Sequence, residues 1–210
     1  MREVELKGVV DDLQERCRRV EAAGARLTFT GRLEDRRYDT EQSTLSDQDF
    51  VLRLRTYRGP TSQVAHLDWK GATQRVDGFK VRDELTTPIG DPDTLAAMLE
   101  HLGYRVTQSI DRDITQYDLH GTMIRFERYP QMDILVEVEG APEGIEAAIR
   151  AIGLPREAFT ADRLQDFVQA YERRTGRSAA ICELELQGVA AVQHTKREMT
   201  QRRRIGGDAT

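Results

Sequence analysis

Cysteine, histidine, lysine and tryptophan are all scarce in this 210-residue chain. Cys17 and Cys182 stand far apart, with no Cys-x-x-Cys and no histidine pair nearby, which argues against a zinc site. His66, His101, His120 and His194 are scattered and suggest no catalytic constellation. No apolar run approaches the ~18 residues of a membrane span, and no signal-peptide hydrophobic stretch follows the start. The cytoplasm is therefore the expected compartment, with no membrane partner. A net charge of −5 argues against nucleic acid as a partner, because such proteins are typically basic. Only four lysines occur, Lys7, Lys70, Lys80 and Lys196, and every other basic residue is arginine. A compact ammonium and a planar guanidinium are not interchangeable around phosphate. The apolar fraction of 39% and mean hydropathy of −0.60 are modest for a chain of one-domain length.

What the chain does have is charge on alternate residues of its strands. In an extended segment, successive side chains point to opposite faces. Glu3, Glu5 and Lys7 therefore share one face of the first strand, and Val4 and Leu6 share the other. The pattern returns with Arg53 and Arg55 between Leu52 and Leu54, and with Arg82 and Glu84 between Val81 and Leu85. Asp83 is an exception on that apolar side. It recurs with Arg125 and Glu127 beside Ile124 and Phe126, and with Glu137 and Glu139 beside Val136 and Val138.

Two architectures accommodate such strands. In a plain sheet the charged faces look at solvent and helices cover the other side. In a closed antiparallel barrel of about eight strands, which has room for side chains or one small ligand, they line the lumen. A lumen with carboxylates and guanidiniums suits a polyanion held with a divalent cation. Carboxylate oxygens take Mg2+ or Mn2+, and arginine and lysine take phosphate oxygens.

Glu3-Val4-Glu5-Leu6-Lys7 resembles the N-terminal Glu-x-Glu-x-Lys signature of the CYTH superfamily, the triphosphate tunnel metalloenzymes. The downstream order is similar too: Arg53-Leu54-Arg55, Asp68-Trp69-Lys70-Gly71, Arg82-Asp83-Glu84, a basic segment around Arg112 and Tyr117, Glu127, then Val136-Glu137-Val138-Glu139-Gly140. Within the superfamily the chain looks most like bacterial class IV adenylyl cyclase-like proteins. The resemblance implies an α+β fold, an eight-stranded antiparallel β-barrel with flanking helices. It implies Mg2+ or Mn2+ on Glu3, Glu5, Glu84, Glu127, Glu137 and Glu139. It assigns Lys7, Lys70 and Arg112 to catalysis, and Arg53, Arg55, Arg82 and Tyr117 to substrate binding. Two positions depart from the pattern: Glu127 stands where aspartate is usual, and Ile114 where a second cation is usual, with Arg105 as a candidate substitute.

The expected elements are a first strand over residues 2–10, a helix capped by Asp11 or Asp12 and ending near Gly24, and a strand near 26–30 leading to Asp35-Arg36-Arg37-Tyr38-Asp39. Residues 40–49 read as a loop, followed by strands near 50–57, 64–71 and 78–87. A helix opens at Asp91-Pro92 and ends at Gly103. Strands near 104–110, 112–119, 122–128 and 134–140 follow, then helices from Pro142 to Ile152 and from Ala161 to Arg174. The expected division is a tunnel domain over residues 1–178 and an extension over 179–210. That extension holds an apolar stretch up to Val192 and a basic tail with Arg202-Arg203-Arg204, read as solvated.

The implied reactions share one requirement, neutralisation of a phosphate chain with in-line placement of a nucleophile. One converts ATP to cyclic AMP and pyrophosphate. The alternative hydrolyses an inorganic or organic triphosphate, such as tripolyphosphate or thiamine triphosphate. A catalytically silent nucleotide or polyphosphate sensor is a third reading, and a homodimer is an open expectation.

Overall fold

The alternating strands close on themselves. In the computed structural model, which describes residues 2–187, β1 (Arg2–Val9) leads through α1 (Leu13–Ala22) to β2 (Arg26–Thr40). β3 (Val51–Arg58), β4 (Gln63–Lys70), the short β5 (Gln74–Val76) and β6 (Phe79–Ile89) follow, then α2 (Pro92–His101). The second half holds β7 (Tyr104–Leu119), β8 (Thr122–Arg128), β9 (Leu135–Glu139), α3 (Pro142–Ile152), β10 (Phe159–Thr160), α4 (Leu164–Thr175) and α5 (Glu183–Leu186). The sheet order β1-β9-β8-β7-β2-β3-β4-β6 is closed by pairing of β1 with β6, which makes an eight-stranded antiparallel barrel. β5 and β10 add short pieces beside β6 and β1.

Closure decides which face is inside. The apolar residues Leu6, Val81, Ile124, Phe126, Val136 and Val138 point outward and are covered by Val20 of α1 and Ile145, Ala148, Ile149 and Ile152 of α3. Burying each such apolar side chain stabilises the fold by roughly 1.5–3 kcal/mol, and truncating Ile149 to alanine should cost about 2–5 kcal/mol. Two local devices fix these helices. The Asp12 side chain accepts the Glu15 N–H at the start of α1. Gly153 (φ 75) ends α3, and Arg16 of α1 donates to the freed carbonyls of Ile152 and Gly153. A smaller cluster under α2 joins Leu99 to Tyr38, Leu54 and Ala65. Among the described residues no helix is long and apolar enough to cross a membrane.

Three expectations need correction. Residues 104–119 form one strand rather than two, because no glycine or proline interrupts them and β2 pairs with them along their length. β2 likewise runs on to Thr40, with register shifts near Leu27 and Arg37. The packed body also passes the expected boundary at 178. Ala180 bridges to Gln131, the Asp111 N–H donates to the Ile181 carbonyl at 2.8 Å, and Ile181 packs with Ile110, Tyr129, Leu135 and Val168. The apolar stretch beyond Gln187 and the basic tail lie outside the described residues.

Candidate active site: a charge-lined lumen

The registers carry charge around the inner wall. Glu3 stands opposite Arg82 and Glu5 opposite both Lys80 and Glu139. Lys7 faces Glu137, which faces Arg125. Asp35 faces Arg55, Arg37 faces Arg53, Arg53 faces Asp68, and Lys70 faces Glu84. Inside lies a cavity of about 280 Å3, lined by ten cationic side chains against five carboxylates. A second cavity of about 380 Å3 adjoins it at the end where residues 43–51 meet the start of α4.

Most of the lumen charges are engaged with one another. Asp35 accepts from Arg55 at 2.8 and 3.1 Å and from Arg112 at 3.0 Å. Burial alone would raise its pKa, but Arg53, Arg55 and Arg112 hold it well below the usual carboxylate range. Asp68 accepts from Arg53 at 2.6 and 3.0 Å. Glu127 accepts from Arg112 at 2.9 Å, Arg125 at 3.1 Å and the Tyr129 hydroxyl at 2.8 Å. Glu137 takes Lys7 and Arg125, and Glu5 takes Lys7 at 2.9 Å and Lys80 at 2.5 Å. Burial works against the ionised Glu5, yet its lysines prevail and hold its pKa at about 2. Burial likewise opposes the charged Lys7, and Glu137 and Glu5 outweigh it, so the ammonium stays protonated.

A different arrangement lies beside this network. Carboxylate oxygens of Glu3, Glu84 and Glu139 come within 4.8 Å of one another. Glu3 Oε2 is buried and accepts no hydrogen bond. Burial, then the neighbouring carboxylates, raise the pKa of Glu3, and the same causes push Glu139 up to about 7. Repelling hard oxygens with an unused lone-pair site fit a divalent cation such as Mg2+. The trio does not line the 280 Å3 cavity. Lys70 joins the two, lining the cavity while its ammonium lies 2.5 Å from Glu3 and 3.3 Å from Glu84.

The expected site residues therefore divide. Lys7, Lys70, Arg53, Arg55, Arg82 and Arg112 all reach the lumen. Of the six expected metal ligands, Glu3, Glu84 and Glu139 are brought together, with Lys70 paired to the first two, whereas Glu5, Glu127 and Glu137 lie apart from that trio in ion pairs with lysine and arginine. Arg82 is tied to backbone, donating to the Gly71 carbonyl at 2.6 Å and the Asp49 carbonyl at 2.5 Å.

Tyr117 is a correction: it points outward into the core under α1, and its hydroxyl donates to Glu21 at 2.7 Å. Strand parity explains this, since Tyr117 is five residues from Arg112 and so on the opposite face. Arg105 does not replace the cation absent at Ile114, because it reaches out to the Glu41 carbonyl at 3.2 Å.

Sequence reasoning missed Asp35, Arg37 and Lys80 as lumen residues, and it placed Arg125 on a charged strand face without giving it a role in the site. The alternation around Glu127 already held Arg125. For Arg37, beside Arg36 in a run of charges, no local signal distinguished inside from outside.

The result is a helix-clad antiparallel barrel with a charged interior. Residues 1–151 match the CYTH domain, and the chain belongs to that family. A candidate adenylate cyclase from Vibrio parahaemolyticus shares the fold with a TM-score of 0.68 at 21% identity, over 80% of this chain and 97% of that one. The PH1819 protein of Pyrococcus horikoshii matches with a TM-score of 0.66 at 22% identity, over 83% and 99% of the two chains. A candidate adenylyl cyclase from Hippeastrum, described as having a dominant triphosphatase activity, matches at 0.56 and 15% identity, over 84% and 96%. No curated protein sequence matches the chain.

Proposed function

We propose that this chain is a divalent-metal-dependent enzyme acting on a triphosphate-bearing small molecule held in the lumen, with conversion of ATP to cyclic AMP and pyrophosphate as the first reading. The observation that carries it is the excess of cations, ten against five carboxylates, around the cavity beside the Glu3–Glu84–Glu139 trio. A cavity of that balance favours a polyanion, and the family membership agrees.

Arg53, Arg55, Arg112 and Lys7 would hold the phosphate oxygens, and Lys70 would bridge substrate and trio. Their charges are fixed in place before binding by Asp35, Asp68, Glu127 and Glu137, so little reorganisation accompanies the reaction. Mg2+ or Mn2+ bound by Glu3, Glu84 and Glu139 would neutralise phosphate charge as a Lewis acid. Hydrolysis of the triphosphate is the second reading, favoured by the dominant triphosphatase activity of the Hippeastrum relative.

Incubation of the purified protein with ATP and Mn2+, followed by separation of products, decides. Cyclic AMP with pyrophosphate supports the first reading. ADP or AMP without cyclic nucleotide, or phosphate released from tripolyphosphate, supports the second. No product from either substrate rejects both.

A further inference from the structure

Among the described residues, one lumen cation has no hydrogen-bond or ion-pair partner. Arg37 on β2 faces Arg53 of β3 and Gln108 of β7, and it lines both the 280 Å3 lumen and the adjoining 380 Å3 cavity. Among the described residues its guanidinium donates no hydrogen bond and joins no ion pair, and its Nε–H is sealed from solvent without an acceptor.

The nearby carboxylates are committed elsewhere. Asp35 is taken by Arg55 and Arg112. Asp39 accepts the backbone N–H groups of Thr40, Leu45 and Ser46 at 2.8–2.9 Å. Asp49 accepts the Thr73 N–H at 2.7 Å and Arg163 at 3.0 Å. Burial and the charge of Arg53 draw the Arg37 pKa down to about 10, which still leaves it charged at neutral pH.

A half-buried guanidinium whose Nε–H meets neither water nor an acceptor destabilises the free protein unless an anion arrives. The other lumen arginines differ in kind. A phosphate reaching Arg53, Arg55, Arg112 or Arg125 must share the donor with a carboxylate already present. Arg37 offers its fork with nothing to displace.

We propose that Arg37 is a substrate-binding residue that takes the phosphate of the ligand lying at the junction of the two cavities. The outer cavity, with Phe50, Val51 and Leu52 beside Ser43, Ser46 and Thr107, leaves room for whatever group that phosphate carries. The proposal rests on the triphosphate reading above.

The test is calorimetric titration of tripolyphosphate and of ATP, each with Mn2+, into wild type, Arg37→Met and Arg37→Lys, with the melting temperature of each ligand-free protein. Loss of one charge-assisted contact should weaken both ligands roughly ten- to a hundredfold in Arg37→Met, and Arg37→Lys should fall between. The ligand-free Arg37→Met protein should melt at the same temperature as wild type or higher. Unchanged affinity in Arg37→Met overturns the proposal. So does a lowered ligand-free melting temperature, which would make the guanidinium a structural partner. Wild type that binds neither ligand overturns the triphosphate reading itself, an outcome separate from failure of the variant alone.

Discussion

The Lys70 ammonium sits 2.5 Å from a Glu3 carboxylate oxygen, at the border between the cation-rich cavity and the carboxylate trio. Glu3 therefore faces two ways. Its bonded oxygen neutralises a lysine, and its other oxygen is buried without a hydrogen bond among the repelling oxygens of Glu84 and Glu139.

Glu3→Gln should accordingly abolish most metal-dependent turnover without loss of stability. A neutral amide is a poor ligand for a hard cation, yet it relieves repulsion in the trio. Activity against Mn2+ concentration and a melting curve check this together. Full activity in the variant, or in excess chelator, would reject the metal assignment.

Glu137→Gln should behave differently. Lys7 and Arg125 both bond this carboxylate, and against the opposing effect of burial they hold its pKa well below the usual carboxylate range. Its removal leaves two buried cations short of a partner, a loss of about 3 kcal/mol by analogy with broken buried ion pairs. Urea denaturation measures it. A variant as stable as wild type would show that Glu5 and Glu127 compensate.

Stability should carry a pH signature from Glu139. Burial and its carboxylate neighbours raise its pKa from 4.5 to about 7 in the fold, so the native protein holds a proton that the unfolded chain releases. The resulting stabilisation is complete below 4.5, falls as pH rises towards 7, and is gone above that. Glu139→Gln should therefore gain on wild type across pH 4.5–7 and run parallel to it beyond. Divalent cation should narrow the gap, because binding displaces the proton. A stability difference independent of pH would remove the basis of this prediction.

Tyr117→Phe should leave substrate affinity intact, since the hydroxyl bonds Glu21 outside the barrel. The lost hydrogen bond should cost stability by about 1 kcal/mol. A raised KM with an unchanged melting temperature would return Tyr117 to the substrate.

Truncation after Gly176 should destabilise the barrel rather than trim it. It removes buried Ile181 and Cys182 and the acceptor of the Asp111 N–H. Loss of about 2–4 kcal/mol follows from that apolar burial alone. Thermal unfolding of the shortened chain reads it directly, and an unchanged melting temperature would contradict the packing described.

The chain's own pattern determined the strands and their two-sidedness. Glu3, Glu5 and Lys7 against Val4 and Leu6, and the repeats at Arg53 and Glu137, follow from the period of an extended backbone, which is a local property. Tertiary structure decided which side was inside, because pairing of β1 with β6 is a contact between residues some 80 positions apart. It also decided which acids meet cations. Glu3 and Glu5 share one face of one strand. Yet register sets Glu5 beside Lys80, while Glu3 is carried to Glu84 and Glu139. Arg36 and Arg37 are neighbours of identical chemistry. Strand parity sends them to opposite faces, and only closure of the barrel brings Arg36 to Asp111 and leaves Arg37 in the lumen with its Nε–H unmatched. Side-chain direction is written locally by the backbone, but the partner a charge finds depends on distances that exist only once the barrel has closed.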